Sequence, residues 1–565
     1  GQVLVGEWDA TAGLWLVRAR PPGPAGSAGL SLAGAVEVDI ARGRRADSAP
    51  PPCVLDAGVD HTGARSVGLT GGVLRADDAG HWLARAGGGY RGSDGFALAH
   101  GLERADPATR ARLTSDGERR LGTDIEAWDG FLSLRRVGRG GAWASLTAMG
   151  SRLERGVAPE AHTEEPRLWR YPEQARGLGA LAAGTGMRDT PWGRGDVEAS
   201  VGLLASRSEI EEFDGLDYRT VSGGERDDDR TLTARLLGDH TLGEHGDLRL
   251  ASTFAEVSHD EVHDGDPALR YRQRLWSVAG ETDWRMQIGI PLKVTVGGAL
   301  DGADTPESAD KPALAPLSDW GGRLGATTVL RGGGLVIHGA SSRRARFPAL
   351  RELYSGALGR FVENPSLRPE TQWMNELGAT LRRAGRELQV VVFHQVLVDG
   401  ITRIVVATPG GNRFQRVNQG RVTGHGLETL GSLELGPLAL GGDVTLQRVR
   451  GLDAEGKATE LEYEPAVQGG AWGETPLPAG FRLRAQARGM GAQRYIDLDS
   501  GRLLGLAPTV RFDASLARGF ALHAAGPFRR VDAVLALENL ADQVLYDQAG
   551  LPQPGRTVRL QARFW

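Results

Sequence analysis

One cysteine, Cys53, in 565 residues rules out an internal disulfide framework and any cysteine-built zinc or iron–sulfur site. An excess of either charge is also missing. The 66 basic and 71 acidic side chains leave a formal charge of -5, which argues against a nucleic-acid partner held by phosphate neutralisation. Basic charge is almost all arginine; the lysines are Lys293, Lys311 and Lys457. No run approaches the roughly 18 consecutive apolar residues of a membrane-crossing helix. Aromatics are only 6 % of the chain, and no segment repeats at a fixed period. These absences leave one membrane class untouched, because the strands of a membrane β-barrel are apolar on one face only.

Glycine is what the chain has in abundance, 82 residues. That is about twice the usual frequency, without the G-x-y period of collagen. Alternation is the second positive feature. Residues 291–300 set Leu292, Val294, Val296 and Leu300 against Lys293, Thr295 and Gly297. Residues 480–489 set Phe481, Leu483, Ala485 and Ala487 against Arg482, Arg484, Gln486 and Arg488. Residues 557–564 set Val558, Leu560, Ala562 and Phe564 against Thr557, Arg559, Gln561 and Arg563. A period of two puts each set on its own face of a strand. One face is oily and the other carries several charges, which suits a large barrel with a lipid-facing exterior and a hydrated lumen.

Such segments recur from about residue 54 to 564 and predict 22 strands. Their connections alternate in length. Short ones include Asp77–Gly80, Val137–Gly138, Arg331–Gly332, Arg382–Gly385 and Leu435–Pro437. Long ones are 91–123, 151–174, 206–229, 257–271, 301–319, 342–371, 490–509 and 540–556, each after an odd-numbered strand. The expected fold is therefore all-β: a 22-stranded antiparallel transmembrane β-barrel, with tight turns at one rim and long loops at the other. An even strand number returns both ends of the barrel to the tight-turn rim.

Three ordered segments carry a family resemblance. The first, Phe347–Gly378, reads FPALRELYSGALGRFVENPSLRPETQWMNELG and contains Asn364, Pro365, Leu367, Arg368, Pro369 and Glu370. The second, Arg416–Glu428, reads RVNQGRVTGHGLE, and the third, Leu537–Trp565, ends in an aromatic hairpin. Together they resemble TonB-dependent outer-membrane receptors, over about the last 40 % of the chain. The strand rhythm extends the match across 53–565. The physics of the motifs is structural: Pro348, Pro365 and Pro369 restrict a long loop, lowering the entropy lost on ordering it. Phe564 shares parity with Val558, Leu560 and Ala562, so the chain overshoots the usual aromatic ending by one residue, Trp565.

The resemblance implies an N-terminal plug. Here residues 1–52 are expected to hold a short plug remnant, near Ala28–Gly43, and a linker, Arg44–Pro52, ahead of the barrel at 53–565. It further implies active uptake of a scarce nutrient, such as an iron–siderophore, cobalamin or other metal complex, without enzymatic activity or a cofactor. The partners it implies are the lipid bilayer, a TonB-type inner-membrane energy-coupling complex, the barrel-assembly machinery and a small-molecule or metal-complex ligand. It places the chain in the outer membrane, with both termini periplasmic and the long loops extracellular. The alternative is a barrel with a reduced plug that serves as a scaffold or surface receptor for protein partners.

Other chemistry is sparse. Ser258–Asp266, SHDEVHDGD, places His259, Asp260 and His263 in an expected outer loop. The four-residue spacing would align both imidazoles on a helix, as metal ligands require; the competing reading is a solvated acidic loop. Glu211–Arg230 is a second acidic stretch of the same kind. The glycine-rich stretches match neither dinucleotide-binding nor P-loop spacing.

Overall fold

The computed structural model describes residues 4–9, 14–19, 53–114, 116–264, 266–355, 360–409, 411–453, 456–459, 461–497, 499–522 and 528–565. The expected plug remnant at 28–43 and linker at 44–52 lie outside the described residues. Near the N-terminus Leu4–Asp9 and Leu14–Ala19 pair as an antiparallel hairpin.

From Cys53 onward alternation becomes a continuous antiparallel wall. It opens with β1 (Cys53–Asp60), β2 (Arg65–Asp77), β3 (Gly80–Ser93), β4 (Ile125–Gly138), β5 (Trp143–Gly156), β6 (Trp169–Gly184) and β7 (Gly193–Phe213). The middle is β8 (Val221–Leu242), β9 (Gly246–His263), β10 (Leu269–Gln287), β11 (Pro291–Ser308), β12 (Leu317–Leu330), β13 (Leu335–Arg346) and β14 (Glu370–Arg383). The last part is β15 (Arg386–Thr408), β16 (Gly411–Leu435), β17 (Leu438–Leu452), β18 (Val467–Pro476), β19 (Phe481–Met490), β20 (Thr509–Ala521), β21 (Arg530–Glu538) and β22 (Thr557–Phe564). Strand β22 pairs with β1, Leu560 opposite Val59, so the sheet of 22 strands closes without an edge.

Parity sorts the faces as the alternation requires. Val296, Leu300, Leu483, Val558 and Leu560 point outward and are exposed. Their neighbours line the lumen and are ion-paired there: Lys293 with Asp283 at 2.9 Å, Arg484 with Glu474 at 3.5 Å, and Arg559 with Glu538 at 3.1 Å. Seven tryptophans, Trp82, Trp128, Trp192, Trp276, Trp284, Trp320 and Trp373, are exposed. Glycine has a packing role on these faces. Trp276, Trp472 and Trp143 stand directly opposite Gly302, Gly441 and Gly184, and a Cβ on any of these glycines would lie within 2.6 Å of the indole. A ring laid over a glycine shields the backbone that a side chain would otherwise cover.

Turn chemistry follows from the hairpin geometry. Between β14 and β15 only two residues intervene, Ala384 and Gly385, with φ of 44° and 74°. Two left-handed residues match the twist of the flanking strands. The opposite rim departs from expectation. Of the long connections, 206–229 and 257–271 shrink to 214–220 and 264–268, because β7 to β10 continue well past the lipid-facing stretch. Above the bilayer neither face has to be apolar, so the alternation that marks a membrane strand stops while the backbone ladder goes on.

Candidate functional site

The edge of the apolar band can be located on β9 and β10. Outward-facing Phe254 and Trp276 are directly paired. One pleat higher, Glu256 and Arg274 oppose each other as an ion pair, 2.9 Å apart. Everything beyond that pair belongs to the extramembrane extension of the wall. Its inward face carries Glu225, Asp227 and Asp229 on β8, His259, Glu261 and His263 on β9, and Tyr271 and Gln273 on β10.

The first resemblance segment covers this inward face. Leu350, Leu353, Tyr354 and Leu367 pack with Tyr271 into a buried apolar cluster, joined by Val257, Leu269, Leu314 and Ile401. The Tyr271 and Tyr354 rings stack 5.2 Å apart. Polar contacts fix the segment further: Gln273 Nε2 donates to the Pro348 carbonyl at 2.7 Å. Lys311 Nζ donates to Tyr271 Oη at 2.9 Å and pairs with Glu363 at 2.7 Å. Glu352 accepts from the Ala349 N–H at 2.9 Å, at the start of the short helix Leu350–Tyr354, and takes both terminal nitrogens of Arg346 at 2.8 and 2.9 Å. Arg346 Nε also contacts Glu370, whose other oxygen accepts from the Ile401 N–H at 2.8 Å.

The second segment docks on the first. Asn364 Nδ2 donates to the Arg416 carbonyl at 2.8 Å, and its Oδ1 accepts from Ser366. Pro365 and Pro369 flank buried Leu367, and Asn418 exchanges hydrogen bonds with the Arg368 backbone at 2.8 and 2.9 Å. At the chain end Phe564 pairs with Leu55 and Val531 across the closure, while Trp565 turns back to donate Nε1–H to Asp532 at 3.0 Å.

The acidic-imidazole group lies beneath this cover. His259 and His263 sit on a strand rather than a helix, so period two, not a four-residue step, aligns them with Glu261. Asp260 takes the opposite face, near Arg270 at 3.8 Å, and is not part of the group. Among the described residues two sets have converging ligand atoms, Asp227–His259–Glu261 and Glu225–Glu261–His263. His259 Nδ1 lies 2.7 Å from Asp229, and His259 Nε2 is 3.4 Å from Glu261 and 3.8 Å from Asp227. His263 Nε2 lies 2.6 Å from the other Glu261 oxygen. Arg351, from the covering segment, reaches in to Asp227 and lies 3.8 Å from Glu225.

Burial and charge shape the group together. Burial pushes the Asp227 carboxyl up, to about 7, against the pull of Arg351. For His259, burial works against the charged form, yet hydrogen bonds to Asp229 and Glu261 outweigh it and lift the imidazole to about 9. The carboxylates on β8 were the part of the site that a loop reading hid. Their signal is in the sequence: Glu225, Asp227 and Asp229 alternate, as His259, Glu261 and His263 do.

A family model described as TonB dependent receptor-like, beta-barrel matches residues 55–540. The chain belongs to the TonB-dependent receptor family. Membership places this receptor among outer-membrane barrels, whose partners are TonB and small-molecule ligands. Solved structures with the same fold include the copper transporter OprC, at TM-score 0.71 and 15 % identity over 91 % of this chain and 82 % of that one. The FrpB iron transporter from Neisseria meningitidis (F3-3 variant) gives 0.69 and 12 % identity, over 91 % and 81 %. A double mutant of the Serratia marcescens hemophore receptor HasR, in complex with HasA and heme, gives 0.65 and 12 %, over 92 % and 82 %. No curated protein matches the chain. In this receptor the first two resemblance segments form one clamp over β8 to β10, with Glu370 and Asn364 as its polar joints.

Proposed function

We propose that this receptor takes up a scarce nutrient across the outer membrane, most simply an iron–siderophore, cobalamin or other metal complex, with energy supplied through TonB. The observation that carries the reading is the closed 22-stranded wall with an oily exterior and an ion-paired lumen, in a chain of this family. The work of transport is done elsewhere, so the chain itself needs binding surfaces and a path rather than a catalytic group. The copper, iron and heme-linked descriptions of its structural neighbours support a metal-containing cargo. In this reading the tight-turn rim, with Cys53 and Trp565, is periplasmic, the long connections face the medium, and the barrel-assembly machinery recognises the β22 end with Phe564.

The test is uptake of radiolabelled metal complexes by cells expressing the complete gene, with and without a functional TonB. Accumulation of at least one complex that disappears with TonB supports the reading. Accumulation that persists without TonB, or absence of uptake across siderophore, cobalamin and heme panels, refutes it.

A further inference from the structure

We propose that Asp227, His259 and Glu261 hold one divalent transition-metal ion beneath the covering segment, as a resident ion of the receptor. Three observations converge on it. First, the donor atoms are spaced for an ion. His259 Nε2 stands 3.4 Å from a Glu261 oxygen and 3.8 Å from Asp227 Oδ1. Bonds of about 2.1 Å in a tetrahedron put neighbouring ligand atoms about 3.4 Å apart, so modest side-chain movement closes the shell.

Second, the polarity of the group is incomplete. Asp227 is 1 % exposed, and its Oδ1 is buried with no hydrogen-bond partner while its other oxygen takes Arg351. A carboxylate only accepts, so the hydrogen between Asp229 and His259 belongs to Nδ1. Without a metal the second proton of the charged ring sits on Nε2, facing two carboxylate oxygens; once that proton leaves, Nε2 aims a lone pair at the same place, which a metal ion can occupy instead. Three acceptors converging in a buried place repel one another unless a cation lies between them. The Asp229–His259 contact also has the form of the outer carboxylate that orients a metal-binding imidazole.

Third, the frame is rigid. Asp227 is the direct cross-strand partner of Glu261, and Asp229 of His259. The His259 ring stacks on Tyr271, 5.9 Å away. One imidazole with two carboxylates favours zinc, cobalt or copper over calcium or magnesium, which prefer all-oxygen shells. His263, partly exposed and on the second set with Glu225, continues the same donor-bearing face toward solvent. A resident ion here requires neither cargo nor TonB, so the inference stands apart from the uptake reading.

The test uses the full chain, purified folded in detergent and stripped with chelator, with Zn2+ and Co2+ as probes. Expected is about one tightly held Zn2+ per chain and a Co2+ spectrum of low coordination number. Asp227→Asn, His259→Gln and Glu261→Gln should each weaken Zn2+ by about 100-fold or more, and Asp229→Asn by about 10- to 100-fold. Asp260→Asn, on the same strand but the other face, should leave binding unchanged. Zinc-edge X-ray absorption on the unaltered chain should show imidazole scattering, which keeps the test decisive where a variant does not fold. An all-oxygen shell, less than one tight ion, or a loss in Asp260→Asn equal to that in His259→Gln overturns the proposal.

Discussion

Leu250→Arg tests the membrane assignment at its most sensitive point. On β10, outward-facing Trp276 and Trp284 lie eight residues apart within the apolar band, which continues past Trp284 to exposed Met286 and Ile288. At about 3.4 Å per residue and a strand tilt of about 40°, that spacing spans about 21 Å of height. Its midpoint is Gly280, and the residue paired with Gly280 on β9 is Leu250, 53 % exposed on the outer face. A guanidinium there stands about 10 Å from the level of either tryptophan, well inside the apolar band, and arginine at this depth costs about 2–4 kcal/mol. The same strand supplies a ladder. Ser252→Arg, one pleat nearer the Glu256–Arg274 pair, should cost about half as much, and Ser258→Arg, above that pair, about 0–1 kcal/mol. Gln389→Arg, inward-facing on β15, should also stay within about 1 kcal/mol, since it meets the lumen. Urea unfolding from lipid vesicles, followed by tryptophan fluorescence, gives the ranking. Equal losses for Leu250→Arg and Ser258→Arg, or a larger loss for Gln389→Arg, would refute a lipid-facing exterior.

Two further outcomes follow from the rim. Arg346→Met strands Glu352 and well-buried Glu370 side by side. Breaking a buried pair costs about 3–5 kcal/mol, and partial exposure of Arg346 brings that to about 2–3 kcal/mol. Because the loss falls on the cover and not on the β-ladder, hydrogen exchange over 347–355 should speed up by about 30- to 150-fold while β8 to β10 stay protected; uniform loss of protection would contradict a local clamp. On intact cells, external protease should cut within 94–124 and 309–316 and spare Ala384–Gly385; cleavage only at the latter would invert the proposed orientation.

How much of this was legible beforehand depended on what each residue faces. Within the bilayer, chemistry forces a code: Leu292 to Leu300 and Val558 to Phe564 must alternate, since one face meets lipid and the other ions. All 22 strands overlap their expected positions for that reason. Above the bilayer the code lapses. Residues 221–231 and 257–263 are strand, yet both faces are polar, so they read as acidic loops. For the same reason the candidate triplet His259, Asp260, His263 is split, since on a strand Asp260 takes the outer face. A step of four aligns the two imidazoles only on a helix; the chain steps by two instead, which brings Glu261 of the same segment between them. Asp227 and Arg351 lie far away in sequence, and only closure of the covering segment brings them to the imidazole.

That closure gives the resemblance segments a physical meaning. The first is built of short-range restraints (Pro365 and Pro369, the Asn364 turn with Ser366, the Glu352 contact with Ala349) that shape a long connection before it meets the wall. Preordering matters because the wall offers only a few contacts to a segment that must cross from β13 to β14 over more than twenty residues. A flexible loop of that length loses about 1–2 kcal/mol of backbone entropy for every residue it orders. The Leu350–Tyr354 cluster and the Arg346 fork return only part of that, so the segment is held where polar anchors and apolar packing coincide, on β8 to β10. Those strands also extend well beyond the Glu256–Arg274 edge with charged inward faces. The cover and the buried acidic-imidazole group therefore depend on one another: Arg351 balances Asp227 and lies near Glu225, and those carboxylates tie down the helix that carries Arg351. Disturbing either side should be felt on the other, as a shift in metal affinity when Arg351 is changed and as faster exchange in the cover when Asp227 is.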